Sequence, residues 1–124
     1  MGAFPERRRA SRVATSLSAR LIAGDGTCAL LEVDNLSVVG LHGRCGVPLG
    51  VGQACRIELS THTGSVEARG TVVRHQGREL AIRFEHLPFE CFERLRAFLL
   101  ANASDPAVIA DELSDRLSFF EESA

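Results

Sequence analysis

Four arginines lie close together near the start of the chain, within a span of six residues. They are Arg7, Arg8, Arg9 and Arg12. A guanidinium group is planar and permanently charged, binds phosphate through two parallel hydrogen bonds, and stacks on flat rings. Placing four of them together costs electrostatic repulsion, which a bound polyanion would relieve. The cluster is therefore a candidate anion site, although a solvated basic leader would have the same composition.

A second candidate lies at residues 35–40, where Asn35, Ser37 and Gly40 form a turn pattern after a predicted strand. Asn and Ser have short side chains that bond to the local backbone and also offer donors and acceptors to a ligand. Gly40 allows the main chain to approach a ligand closely, or to adopt backbone angles closed to other residues. By itself this pattern is typical of ordinary turns.

The composition is that of an ordinary globular domain. The chain has 124 residues, of which 45% are hydrophobic and 24% charged, and a formal net charge of -2. This length predicts a single domain whose core needs no metal or disulfide. Positive charge is concentrated at residues 7–12, whereas residues 105–122 are mainly acidic. This asymmetry favours a localised anion site over a general nucleic-acid interface, which would spread basic residues over a face.

The cysteines indicate free thiols, because they lack the CxxC or Cys/His spacing of a zinc site. They are Cys28, Cys45, Cys55 and Cys91. The first dozen residues contain no apolar signal-peptide core, and no apolar run approaches the ~20 residues needed to cross a bilayer. We therefore expect a soluble cytoplasmic protein with reduced, mostly buried cysteines.

Alternation of apolar and polar residues predicts five to six short strands. They are predicted over residues 15–22, 27–33, 40–44, 55–60, 66–72 and 80–84. Turn signals separate the strands, among them the Gln76-Gly77 pair, where glycine supplies the positive φ that hairpins need. Because no helical pattern connects these segments, they predict an antiparallel sheet that closes or packs on itself.

Two apolar stripes predict helices after Pro88. The first stripe contains Phe89, Phe92, Leu95, Phe98 and Leu99. Its three- and four-residue steps predict a helix over residues 89–101. Asp105 and Pro106 form a typical helix start, and they precede a second predicted helix over residues 106–120. Such stripes can cover an open face or end of the sheet, or they can pair with a partner or a second copy.

No catalytic constellation is recognisable in the sequence. The histidines have no acidic partner at a useful spacing: His42, His62, His75 and His86. Ser37 lacks the GxSxG pattern of a nucleophilic serine, and the glycine-rich residues 46–52 lack the GxxxxGK(S/T) pattern of a phosphate-binding loop. The sequence therefore predicts a binding protein that is not an enzyme and uses no metal or cofactor.

Together, in this order, the two candidate stretches resemble the PilZ domain, the receptor module for the bacterial second messenger cyclic di-GMP. Arg8 and Arg12 match its RxxxR motif, and residues 35–40 match its (D/N)xSxxG motif. Residues 70–73 and 80–84 extend the resemblance, which covers roughly residues 6–100. It implies an all-β core, a six-stranded antiparallel split β-barrel, followed by one or two α-helices. The single domain then comprises a flexible arginine-rich arm at 1–12, the barrel at 13–87 and the helices at 88–122.

The resemblance also implies how the site residues act on cyclic di-GMP. Arg8 and Arg12 contact guanine edges, guanine faces and phosphate. Arg7 and Arg9 flank the motif and supply further phosphate contacts. Asn35 and Ser37 hydrogen-bond a guanine edge or a phosphate. Gly40 keeps the barrel surface clear for the ligand.

Arg74 occupies a position where the chain departs from the family pattern. Many PilZ domains carry tryptophan at the end of the fifth strand, and this chain contains none. Arg74 lies nearest that position. An arginine there could stack on a guanine ring.

The implied function is that of a cyclic di-GMP receptor or effector that changes conformation on binding. Residues 1–12 would fold over the ligand and alter the surface presented to a partner protein that controls motility, adhesion, biofilm formation or exopolysaccharide. The ligand would bind as one molecule or as a stacked dimer, and the protein would be a monomer or a homodimer.

Two other functions remain open from the sequence. The first is a PilZ-like protein–protein interaction module in a type IV pilus or another regulatory assembly, with weak or no nucleotide binding. The second is a small RNA- or DNA-binding barrel that uses the arginine arm. The acidic balance and the absence of Trp and Tyr disfavour the second, because single-stranded nucleic acids stack on aromatic side chains.

Overall fold

Six strands precede one helix in the computed structural model, which describes residues 13–102. The elements are β1 (Val13–Ala23), β2 (Cys28–Leu36), β3 (Gly40–Cys45), β4 (Ala54–Thr61), β5 (Gly64–Gln76), β6 (Glu79–His86) and α1 (Phe89–Asn102). The predicted arginine arm and the predicted helix at 106–120 lie outside the described residues.

The six strands form a closed antiparallel barrel in the order β1-β2-β3-β6-β5-β4. Four of the pairings join consecutive strands through short turns. The other two are nonlocal, because β1 pairs with β4 and β3 pairs with β6. Closure leaves no unpaired sheet edge in the barrel. The predicted antiparallel sheet and six-stranded barrel are confirmed.

Alternation along the strands places one set of side chains inside the barrel. In β1, Ala19, Leu21 and Ala23 are buried, whereas Arg20 between them is exposed and Ile22 is half-buried. The largest fully buried side chains include Leu21, Leu31, Leu36, Ile57, Leu59, Leu80, Leu95 and Leu99. The hydrophobic core therefore fills the barrel and continues under α1.

Two strand boundaries differ from the predictions in ways that affect the site. β2 continues to Leu36 instead of ending at residue 33, and β5 continues to Gln76 instead of residue 72. Both extensions pass through β-bulges, at Val33/Asn35 and at Val72/Arg74. A bulge adds an extra residue and interrupts the two-residue alternation. A prediction from strict alternation therefore ends the strand at the bulge, before its true end.

Helix α1 packs its apolar stripe against the barrel. Phe92, Leu95, Phe98 and Leu99 are buried as the sequence predicts. Phe89 is the exception, with 45% of its surface exposed in the first turn of the helix. Thr63 Oγ1, in the β4–β5 turn, donates to the Arg94 carbonyl of α1 at 2.7 Å. Of the two interpretations of the α1 stripe, the structure therefore shows the first, in which the stripe covers the barrel.

All four cysteines are free thiols, and all but Cys28 are buried. Burial raises the pKa of the Cys55 thiol from 9.0 to about 11, so it stays protonated near neutral pH. The prediction of mostly buried thiols is confirmed. No helix in the described part of the chain has the length and apolar character to span a membrane.

Candidate functional site

The start of β1 and the end of β2 lie side by side at one end of the barrel. Val13 pairs with Leu36 and Ala14 pairs with Asn35. Thr15 Oγ1 donates to the Val33 carbonyl at 2.7 Å, at a bulge in this pairing. The described part of the chain therefore begins beside the (D/N)xSxxG turn.

Ser37 closes the turn between β2 and β3 with its own hydrogen bonds. Its backbone N–H donates to the Gly40 carbonyl at 2.9 Å, and its Oγ donates to the same carbonyl at 3.3 Å. The Oγ also accepts from the Val39 N–H at 3.2 Å. A hydroxyl has one donor and two acceptor lone pairs, so one lone pair remains for a ligand. The hydrogen bonds of Ser37 in this structure therefore stabilise the turn between β2 and β3.

Asn35 carries an unsatisfied polar atom. It lies in β2, next to the turn, and its Oδ1 is buried without a hydrogen-bond partner among residues 13–102. Leaving a buried acceptor unpaired costs about 1–3 kcal/mol. A ligand N–H group that reached this oxygen would remove the cost. Asn35 Oδ1 is therefore a candidate acceptor for a ligand N–H group.

Gly40 is required by the sheet itself. Its φ is not in the left-handed region, so positive φ is not the reason for glycine here. A Cβ at this position would collide with the main-chain carbonyl oxygen of Ile82 in β6. The close approach at Gly40 is therefore between the main chains of β3 and β6. That Gly40 keeps the barrel surface clear for the ligand stays a prediction.

An open cavity of about 150 Å³ lies beside the turn. It extends across β2, β3, β6 and β5. Its lining consists of Asn35, Ser37, Val39, Gly40, Leu41, His42, Val73, Ala81, Ile82 and Arg83. The cavity thus contains a buried acceptor, an imidazole and a guanidinium, and its lining is partly polar and partly apolar.

Arg83 supplies positive charge to this cavity and is held in place by Glu85. The Arg83 guanidinium donates to Glu85 Oε2 at 2.9 Å, and Thr71 Oγ1 donates to Glu85 Oε1 at 2.7 Å. The hydrogen bond from Thr71 and then that from Arg83 lower the pKa of Glu85. The carboxylate therefore stays ionised and orients Arg83 at neutral pH.

Arg44 neutralises two carboxylates next to the cavity. It binds Asp34 through two hydrogen bonds, at 3.0 and 3.2 Å, and lies 3.1 Å from Glu32. The hydrogen bond to Asp34 is the main cause that raises the pKa of Arg44. Asp34 immediately precedes Asn35, so without Arg44 its charge would oppose an anionic ligand.

The profile of the PilZ domain family matches residues 6–101, which is most of the chain. The chain belongs to the PilZ domain family. PilZ domains are receptor or binding domains, not enzymes. No functionally curated protein matches the chain.

Solved PilZ structures share the fold at low sequence identity. The PilZ domain of Escherichia coli YcgR with c-di-GMP superposes with a TM-score of 0.66 at 15% identity, covering 77% of this chain and 91% of that one. The K. pneumonia MrkH–c-di-GMP complex gives 0.62 at 16%, covering 76% and 51%. The Bacillus subtilis inhibitor of motility MotI/DgrA gives 0.58 at 15%, covering 77% and 49%.

The PilZ barrel brings together some of the predicted site residues. Asn35, Ser37 and Gly40 all line the cavity. Arg74 does not line it, but pairs with Ala81, which does. The remaining predicted residues lie outside the described residues: Arg7, Arg8, Arg9 and Arg12.

Sequence reasoning missed seven of the ten residues that line the cavity, among them three with side chains that matter for a ligand. His42, Val73 and Arg83 belong to three different strands and to neither of the two motifs, although Val73 and Arg83 lie in the stretches that extend the family resemblance. His42 follows Gly40 by two residues, so strand alternation places both on one face. That signal could have identified His42, but Val73 and Arg83 depend on pairings with distant strands.

Proposed function

We propose that this protein binds cyclic di-GMP at the cavity beside the β2–β3 turn, as a receptor. The observation that carries the proposal is the pairing of Val13 with Leu36 and of Ala14 with Asn35. In this register the described chain begins beside the (D/N)xSxxG turn, which supports a site shared by that turn and the RxxxR segment that precedes Val13 in the sequence. Structural neighbours whose names include c-di-GMP support the choice of ligand.

The available groups complement the chemistry of the ligand. Guanine presents O6 and N7 to a guanidinium fork, a role that suits Arg8 and Arg12. Its N1–H and amino group are donors that suit the unpaired Oδ1 of Asn35. The two phosphates of the ligand suit Arg7 and Arg9.

Signalling follows from closing residues 1–12 over the bound ligand, which changes the surface offered to a partner protein. The partner would control motility, adhesion or exopolysaccharide in the bacterial cytoplasm, and the name of the motility inhibitor MotI supports an output of this kind. The ligand binds as one molecule or as a stacked dimer, to a monomer or a homodimer.

Calorimetric titration of the wild-type protein with cyclic di-GMP tests this function, with cyclic di-AMP as the control ligand. We expect saturable binding of the guanine ligand only. Asn35→Ala should weaken it by about tenfold or more, because one hydrogen bond and its buried acceptor are lost. Asn102→Ala, at the end of α1, is the matched control. Absence of heat with the wild type would favour the protein–protein interaction module instead.

Arg44→Ala should weaken cyclic di-GMP binding although Arg44 does not line the cavity. The substitution leaves Asp34 and Glu32 unpaired beside an anionic ligand. We expect a loss of roughly 3- to 10-fold at low ionic strength that shrinks as salt screens the repulsion. Titrations at two salt concentrations measure both effects.

Arg56→Ala is the control for Arg44, because Arg56 also lies near two carboxylates, Glu58 and Glu67, on β4 and β5. It removes the same charge at a position that does not line the cavity. Equal losses in both variants would mean that net charge alone matters, and would contradict the shielding of the site by Arg44.

A further inference from the structure

We propose that His42 and Val73 form the two walls of a slot that holds one purine ring, with Ala81 as its floor. This inference rests on the proposed binding of cyclic di-GMP and assigns a base subsite to it. All three residues line the cavity. None belongs to the two motifs that the sequence presents.

The pairing of the strands places these side chains in one row. His42 of β3 pairs with Ala81 of β6. On β5 the register moves from Val72–Ile82 to Arg74–Ala81, so Val73 is the extra residue of a bulge opposite Ala81. Directly paired residues share a face of the sheet. The row therefore runs from His42 across Ala81 to the bulge.

The bulge explains why a valine is exposed here. Strict alternation after the buried Val72 would turn only one of the next two side chains outward, but Val73 and Arg74 are both exposed. Val73 has 42% of its surface exposed, and it is one of few large apolar side chains exposed in the described part of the chain. A bound ligand that contacted Val73 would remove this apolar surface from water.

The dimensions suit a single flat ring. Neighbouring strands lie about 4.8 Å apart, so side chains on β3 and β5 stand roughly 9–10 Å apart with β6 between them. Ala81 is buried, lines the cavity and contributes only a methyl group, so its side chain takes up little of that space. A ring needs about 3.5–4.0 Å to the atoms on each of its faces, so one ring fits and a stacked pair does not.

The surrounding groups suit a purine. The imidazole of His42 offers a face on which a base can stack, and Val73 offers apolar contact on the other side. Asn35 pairs with His42, which places a buried, unpartnered acceptor beside the slot. Arg74, paired with Ala81, lies at the other side.

Titration of three slot variants with cyclic di-GMP tests the inference. Ala81→Leu fills the slot and should lower affinity by at least roughly 20-fold. His42→Ala removes a stacking wall and should cost about 5- to 20-fold. His42→Phe keeps a flat ring there and should restore affinity to within about threefold of wild type. Leu30→Ala and His86→Ala, exposed residues that do not line the cavity, should bind as wild type does.

The outcomes separate this inference from the proposed function. Wild-type binding that survives both Ala81→Leu and His42→Ala overturns the slot and leaves the receptor function intact. No binding by the wild type overturns both. Thermal unfolding of each variant checks the fold; if Ala81→Leu is destabilised, the comparison of His42→Ala with His42→Phe decides, and equal losses in these two overturn the stacking wall.

Discussion

Replacing Arg8 and Arg12 together by alanine should abolish measurable cyclic di-GMP binding while leaving the thermal stability of the barrel nearly unchanged. Each guanidinium that grips a guanine or phosphate with two hydrogen bonds contributes about 1–3 kcal/mol. Losing two of them should reduce affinity by at least about 100-fold. The first described residue, Val13, pairs with Leu36, and the next residue, Ala14, pairs with Asn35. Arg12 directly precedes Val13 in the sequence. Calorimetric titration measures the loss.

The double variant Arg20→Ala/Arg69→Ala is its matched control. It removes the same two charges from exposed positions on β1 and β5 that do not line the cavity. Similar losses in both variants would show that the effect is one of overall charge. Amide hydrogen exchange tests the proposed closure, since ligand should increase protection of residues 1–12 in the wild type. Equal protection with and without ligand would contradict closure, although binding itself could stand.

Gly40→Ala should destabilise the barrel by about 2–3 kcal/mol. The added Cβ would collide with the Ile82 carbonyl oxygen, which is main chain and cannot move aside as a flexible side chain can. Gly40 pairs with Arg83, so relief requires β3 and β6 to separate where the barrel closes and where the cavity lies. We expect the melting temperature to fall by roughly 10 °C, as measured by thermal unfolding.

Gly46→Ala is the control for Gly40. A Cβ at Gly46 would have no heavy atom within 4 Å, and its φ is not in the left-handed region. This variant should keep the stability of the wild type to within about 0.5 kcal/mol. A melting temperature that is unchanged in Gly40→Ala would mean that β3 and β6 do not approach as closely as described.

Much of the fold could be predicted from local patterns. The two-residue alternation in β1 and β4 reflects one dry face and one wet face, which is a property of neighbouring residues. Gly77, in the predicted Gln76-Gly77 turn, has a φ of 62°, as a tight hairpin requires. The buried stripe of α1 likewise follows from its three- and four-residue spacing, except at Phe89, whose exposure depends on where the barrel ends.

The two motifs could also be recognised in the sequence, because the chemistry of their residue types does not depend on the fold. Guanidinium forks suit phosphates and guanines wherever they are placed, and an Asn–Ser–Gly pattern predicts a turn. The position of Asn35 was different: the sequence placed it in the turn, whereas it lies in β2 with a buried oxygen.

Tertiary structure decided which other residues join the site. A shift of one residue in strand pairing moves every side chain to the opposite face, so membership of a face depends on register. That register is set by the nonlocal pairing of β3 with β6 and by the bulge at Val73, and neither is encoded in a local pattern. The sequence by itself therefore determined most of each strand, α1 and the two motifs. Only the closed barrel brought His42, Ala81 and Val73 into one row.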